Sequence, residues 1–120
     1  MKKMLFLLLM VICFACTEAE RSHTQTAQIV VESFYQKDFP VLENHTTKES
    51  FDSFMYIQDI VPAADKRDSF FKVIQETENG NTAWFQFSTV YEEQPETFKL
   101  IKEGGSWKVT EIEMGEKGPF

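Results

Sequence analysis

The sequence predicts an α+β fold, with N-terminal helices packed on a four-stranded antiparallel sheet and a cleaved signal peptide in front. Three observations predict it. Apolar residues recur at helical spacing from Ala27 to Val61. Beyond Asp68 the period shortens to that of a strand. Asn79-Gly80 and Gly104-Gly105 then break the β-rich region where two-residue hairpin turns belong. With 120 residues there is room for one small domain. A chain with 42% hydrophobic and 26% charged residues, including 12 Phe, can build a real core.

The first element is an address. Lys2 and Lys3 precede the unbroken apolar run Met4–Ala15. That run would span roughly 18 Å as a helix, too short for a hydrocarbon core of ~30 Å but right for a signal-peptide core. Small Ala15 precedes Cys16, and polar residues begin at Thr17. This junction resembles the lipobox of bacterial lipoproteins, in the looser form seen in Bacteroidetes, although Cys13 and Phe14 depart from the commoner pattern. The resemblance implies cleavage between Ala15 and Cys16, with a diacylglycerol on the Cys16 sulfur and fatty acid such as palmitate. Ordinary secretory cleavage nearby is the alternative. Cys13 and Cys16 are the only cysteines, so the mature domain has neither a disulfide nor a cysteine nucleophile. Loss of Lys2 and Lys3 takes the side-chain charge from −7 to −9. Such a balance argues against nucleic-acid or anionic-lipid partners, which require a basic face. A two-chain anchor holds at ~0.8 kcal/mol per buried CH₂ without help from the protein surface.

The organisation that follows is a signal peptide over 1–15, a lipidated Cys and polar tether over 16–22, an α+β domain over 23–114 and a flexible tail over 115–120. Ser22 and Gln25 have the spacing of a capping box. Ala27, Val30, Val31, Phe34 and Tyr35 form the stripe of a first helix over about 23–37. Asp38 caps a short second helix that tolerates Pro40 in its first turn and turns Val41 and Leu42 inward. Thr46 with Glu49 repeats the box for a third helix carrying Phe51, Phe54, Met55 and Gln58. Pro62 ends that helix.

Ser69–Thr77 reads as a first strand, its alternation blurred by Phe70-Phe71. Thr82–Tyr91 alternates cleanly, with Ala83, Phe85, Phe87, Thr89 and Tyr91 on one face and Trp84, Gln86, Ser88 and Val90 on the other. Thr97–Glu103 is a third strand with Phe98 and Leu100 inward. Ser106–Met114 is a fourth, and a bulge near Thr110–Glu111 would reconcile Trp107 and Val109 with Ile112 and Met114.

The segments VVESFYQKDFPVL, NGNTAWFQFSTVY and FKLIKEGGSWKVTEI resemble small bacterial lipoproteins of the nuclear-transport-factor-two-like superfamily, over about residues 24–114. The resemblance implies a helix pair in a strongly curved sheet, a cone. The superfamily includes ketosteroid isomerase but also ligand binders and interaction modules, so it implies the fold and not an activity.

Chemistry is sparse. His23 and His45 stand alone and read as solvated surface histidines. There is no metal-ligand spacing, phosphate-binding glycine loop or G-x-S-x-G. Superfamily isomerases place an acid or base and a Tyr inside the cone, for which Tyr35, Tyr56, Asp59 and Tyr91 are the available residues. No local motif fixes any of them, so no catalytic, cofactor-binding or metal residue is assigned. Glu92, Glu93 and Glu96 form an acidic turn, either a partner or cation site or a charged tip that blocks edge-to-edge association. Trp84 beside Val90 is either a docking patch or covered by the C-terminal tail.

The expectation is a protein anchored in the cell envelope, at the outer membrane of a Gram-negative bacterium. It uses no cofactor, and its domain binds a protein or a small apolar ligand without catalysis. The alternative is an isomerase- or hydrolase-like enzyme using the cone cavity. A deep pocket with converging titratable groups favours the enzyme, and a cone plugged by Phe favours binding.

Overall fold

The first helix, α1 (His23–Tyr35), starts where the capping box places it. In this computed structural model, which describes residues 22–64 and 71–120, Ser22 Oγ accepts from the Gln25 N–H at 3.2 Å and Gln25 Oε1 accepts from the Ser22 N–H at 3.0 Å. The signal peptide, Ala15, Cys16 and nearly all of the tether lie outside the described residues, as do Ser69 and Phe70. The helix ends two residues sooner than its stripe suggests, because Lys37 adopts φ 61°. The Lys37 N–H then reaches Phe34 O at 3.2 Å and the Asp38 N–H reaches Ser33 O at 2.8 Å, the paired bonds of a left-handed helix cap.

Helix α2 (Phe39–Asn44) carries Pro40 in its first turn and buries Leu42 fully, though Asp38 makes no side-chain capping bond. Helix α3 (Lys48–Ile57) is capped by Thr47 and not by Thr46; Thr47 Oγ1 accepts from the Ser50 N–H at 3.4 Å. Thr46 is taken by the sheet. It bridges Val109 in parallel, with the Thr47 N–H on Val109 O at 2.9 Å and the Val109 N–H on His45 O at 3.0 Å. A 3-10 turn (Gln58–Ile60) follows α3, and Pro62 lies just beyond it.

Four strands form an antiparallel meander in the order β1 (Phe71–Asn79), β2 (Thr82–Thr89), β3 (Glu96–Glu103) and β4 (Ser106–Thr110). The first turn is Gly80-Asn81, closed by the Asn79–Thr82 pair, one residue later than the Asn79-Gly80 signal. Gly80 supplies the positive φ, 64°, and Gly104 and Gly105 supply 61° and 83° in the last hairpin. The bulge falls elsewhere than expected. Register shifts between Val73 and Gln75 in β1, whereas β4 simply stops at Thr110, leaving Ile112 and Met114 exposed.

The inner face is the one the alternation predicts. Ala83, Phe85, Phe87 and Leu100 are fully buried against Ala27, Val30, Val31 and Phe34 of α1. Phe71 stacks on Phe87 at 4.9 Å, Phe87 meets Phe98 edge-on at 4.8 Å, and Phe54 closes on Phe34 at 4.9 Å. The interior is filled by these rings. Helix α3 contributes less than its stripe promised: only Ser50 is buried, while Phe51 and Phe54 are half-buried. No helix among the described residues is long and apolar enough to cross a membrane.

Candidate functional site: the cleft between the third helix and the sheet

Strand β3 has eight residues and β4 only five. β4 therefore pairs with Lys99–Glu103 and leaves Glu96–Phe98 without a partner on that side. Where the sheet ends, α3 stands off from it, and a cleft of about 270 Å³ opens. Its apolar wall is Phe54 and Ile57 of α3, Phe98, Val109 and Ile112. Ser50, Ser53, Thr97 and Thr110 supply hydroxyls, and Lys99 and Glu111 are its ionisable lining residues. Phe54 and Phe98, in edge contact at 6.3 Å, separate the cleft from the core. The arrangement suits a compact, mostly apolar ligand oriented by a few hydroxyls; the volume lies just under the ~300–1,000 Å³ of drug-sized sites.

A second cavity, of about 360 Å³, lies between α2, α3 and the β3–β4 hairpin. It is lined mainly by charges already matched in pairs, Lys48 with Asp52 at 3.5 Å and Lys108 with Glu103 at 3.9 Å. Nothing in it selects an apolar or chemically reactive ligand.

The four residues available for acid–base chemistry, none of them assigned a role, separate into two groups. Tyr56 is 88% exposed and Asp59 is exposed on the 3-10 turn, so neither faces an interior. Tyr35 and Tyr91 do meet, stacked at 4.0 Å where α1 ends and β2 runs out. Tyr35 Oη donates to Glu92 Oε1 at 3.2 Å. Glu96 lies close by, its carboxyl pushed up to about 6 by burial first and by the Glu92 carboxylate second. Burial, then the charges of Glu96 and Glu92, hold the Tyr35 phenol far above its usual value, so it keeps its proton. The acidic turn is thus an exposed tip at Glu92 and Glu93 with a half-buried foot at Glu96. The cluster lines neither cavity.

Neither histidine is merely solvated. His23 is tucked against the sheet, its side chain 14% exposed, with Nε2 2.8 Å from Glu76 Oε1 and its ring edge-on to Phe85 and Trp107. His45 Nδ1 lies 2.7 Å from Val41 O. Lys37 was not singled out by sequence, yet its ammonium donates to Gln58 O and, at 2.6 Å, to Val61 O, tying the end of α1 to the end of α3. The His23 and Lys37 partners are 21 or more residues away in sequence, so no local signal marks them. No group of three or more potential metal ligands occurs among the described residues.

No protein-family model and no curated protein matches the sequence. Solved structures do. The chain is similar to an NTF2-like protein of unknown function from Silicibacter pomeroyi DSS-3, with 16% identity, 72% of this chain and 87% of that chain covered, and a TM-score of 0.57. It is also similar to a Campylobacter jejuni protein assigned provisionally as an NTF2-like transpeptidase, at 15% identity, 75% and 98% coverage, and a TM-score of 0.58. At these identities the likeness shows the fold, which is nuclear-transport-factor-two-like.

Proposed function

We propose that this chain is a lipid-anchored protein of the cell envelope, held at the outer membrane through Cys16, whose domain binds a compact apolar ligand in the α3–β3–β4 cleft without catalysing a reaction. One observation carries the binding reading: among the described residues phenylalanine rings pack the interior, and an apolar cleft opens beside the short β4. The ionisable residues on its wall do not form an acid–base pair, since the Lys99 ammonium is held by Glu116. The anchor is supported by the apolar run ending in Ala15-Cys16.

The Tyr35–Glu92–Glu96 cluster supports the enzymatic alternative, because shifted titratable groups gather at active sites. Catalysis also needs a space for substrate against those groups. The two cavities described lie elsewhere.

The test is native mass spectrometry of the domain purified from its own host, together with titration of a fluorescent apolar probe. Wild type retains a ligand or binds the probe. Ser53→Phe, on the exposed side of α3, fills the cleft and abolishes binding while leaving the melt unchanged. Binding that survives Ser53→Phe refutes the cleft. Cys16→Ser should release the protein from membranes and abolish fatty-acid labelling, and retention of both would refute the anchor.

A further inference from the structure

Trp84 on β2 and Lys99 on β3 are directly opposed in register and share the outer face of the sheet. The Lys99 Nζ lies 5.8 Å from the indole centroid. An indole beside a cation is the composition of a docking hot spot, and here the chain itself lies over it. A turn over Glu113–Glu116 closes with the Glu116 N–H on Glu113 O at 2.9 Å, and Gly115 provides φ 84°. The turn presents the Glu116 carboxylate. Oε1 accepts from the Glu113 N–H at 3.0 Å and Oε2 from Lys99 Nζ at 2.5 Å, and the Lys99 bond lowers the carboxyl pKa. Two residues on, Gly118 lies flat against the indole: a Cβ there would sit 2.9 Å from Trp84 Cζ3. Glu116 and Gly118 are half-buried, whereas Lys117 between them is exposed. That alternation is that of an extended segment laid on a surface.

We propose that the Trp84–Lys99 platform is a docking site for a short acidic, extended peptide of a partner protein, and that residues 113–118 occupy it in cis as a displaceable stand-in. The chemistry of the partner follows from what the site holds. It takes a carboxylate for Lys99 and, two positions later, a residue without a side chain to lie on the indole. The Lys99–Glu116 pair that anchors the segment is partly shielded, its side chains 18% and 27% exposed, so a partner displaces the segment by supplying a carboxylate of its own to Lys99. A tethered segment nonetheless acts at an effective concentration of order mM, so a partner must outcompete it or wait for it to lift. The site is on the outer face, and the proposal does not depend on the cleft holding a ligand.

The experiment uses the full chain and, as probe, a dye-labelled peptide of residues 113–120, followed by fluorescence anisotropy. Gly118→Val drives the tail off the indole, and Glu116→Gln is a second way to open the site. Both lie outside the core, and urea melts check that the domain stays folded. Either opened variant should bind the peptide at least tenfold more tightly than wild type does. Lys99→Ala added to the opened chain should lose that gain, and a peptide with Gln in place of Glu116 should bind weakly. Equal binding by wild type and both opened variants overturns the proposal, as does binding that survives Lys99→Ala. Competition by acetate as effective as by unlabelled peptide also overturns it, by reducing the platform to a bare carboxylate site.

Discussion

Raising the pH from near 4 to near 8 should weaken the fold through Glu96, and Glu96→Gln should remove that component. The Glu96 carboxyl is pushed up to about 6 in the folded chain, against an ordinary value of 4.5 when unfolded. Folding therefore favours the protonated acid. A raised carboxyl gives a stabilising contribution that is complete below the unfolded value and is lost as pH climbs through about 6. The gap corresponds to ~2 kcal/mol at full effect, and since Glu96 is only half-buried, solvent screening reduces this to about 1 kcal/mol. Burial is the larger cause and the Glu92 charge the smaller, so Glu92→Gln should remove the lesser part of the effect. The assay is a pair of urea melts at each pH. The informative quantity is the difference between wild type and Glu96→Gln. Wild type should lose about 1 kcal/mol more than the variant between the two pH values. If both lose the same amount, Glu96 sits in water and the placement of the β2–β3 turn against Tyr35 is wrong.

Two further outcomes test the fold. Phe85→Ala and Phe87→Ala should each cost ~3–5 kcal/mol in urea melts, from lost transfer energy plus a cavity, while Gln86→Ala and Ser88→Ala should cost under ~1 kcal/mol; the reverse order would mean that the sheet faces the other way. Lys37→Gly should be more stable than Lys37→Ala by about 1 kcal/mol, contrary to helix propensity, because glycine relieves the positive φ while both variants lose the ammonium bonds to Gln58 and Val61. An alanine variant as stable as the glycine variant would remove the left-handed cap.

What could be read from sequence was what neighbouring residues decide. The Ser22–Gln25 box, the alternation of 83–89 and the glycine turns are local, and each is where it was expected to within a residue. The errors are places where a distant partner wins. Thr46 has the better capping-box spacing, but pairing with Val109 draws it into the sheet and passes the cap to Thr47. A bulge in a long fourth strand would keep Ile112 and Met114 in the ladder, but the chain leaves the sheet after Thr110. His23 reads as solvated until β1 brings Glu76 to it across 53 residues. The same holds for the site residues. Tyr35 and Tyr91 are legible as candidates, but the Glu96 foot that perturbs Tyr35, and the separation of Tyr56 and Asp59 from both, depend on where the β2–β3 turn packs.

The early end of β4 has two consequences that meet at one residue. By stopping at Thr110, opposite Lys99, it leaves the β3 half-edge Glu96–Phe98 open, and that opening is the mouth of the cleft. The same stop releases the chain from the sheet at Glu111, so that Glu111 and Ile112 become cleft wall while the residues after them turn onto Trp84. Lys99 sits at the last paired position. It lines the cleft on one side and holds Glu116 over the indole on the other. A substitution at Lys99 therefore perturbs both sites. Ser53 lines the cleft and Gly118 lies on the indole, so variants at these two positions separate ligand binding from tail displacement in one chain. If Gly118→Val changed ligand affinity in the cleft while Ser53→Phe left peptide binding untouched, the tail would be acting on the cleft through Lys99, which touches both.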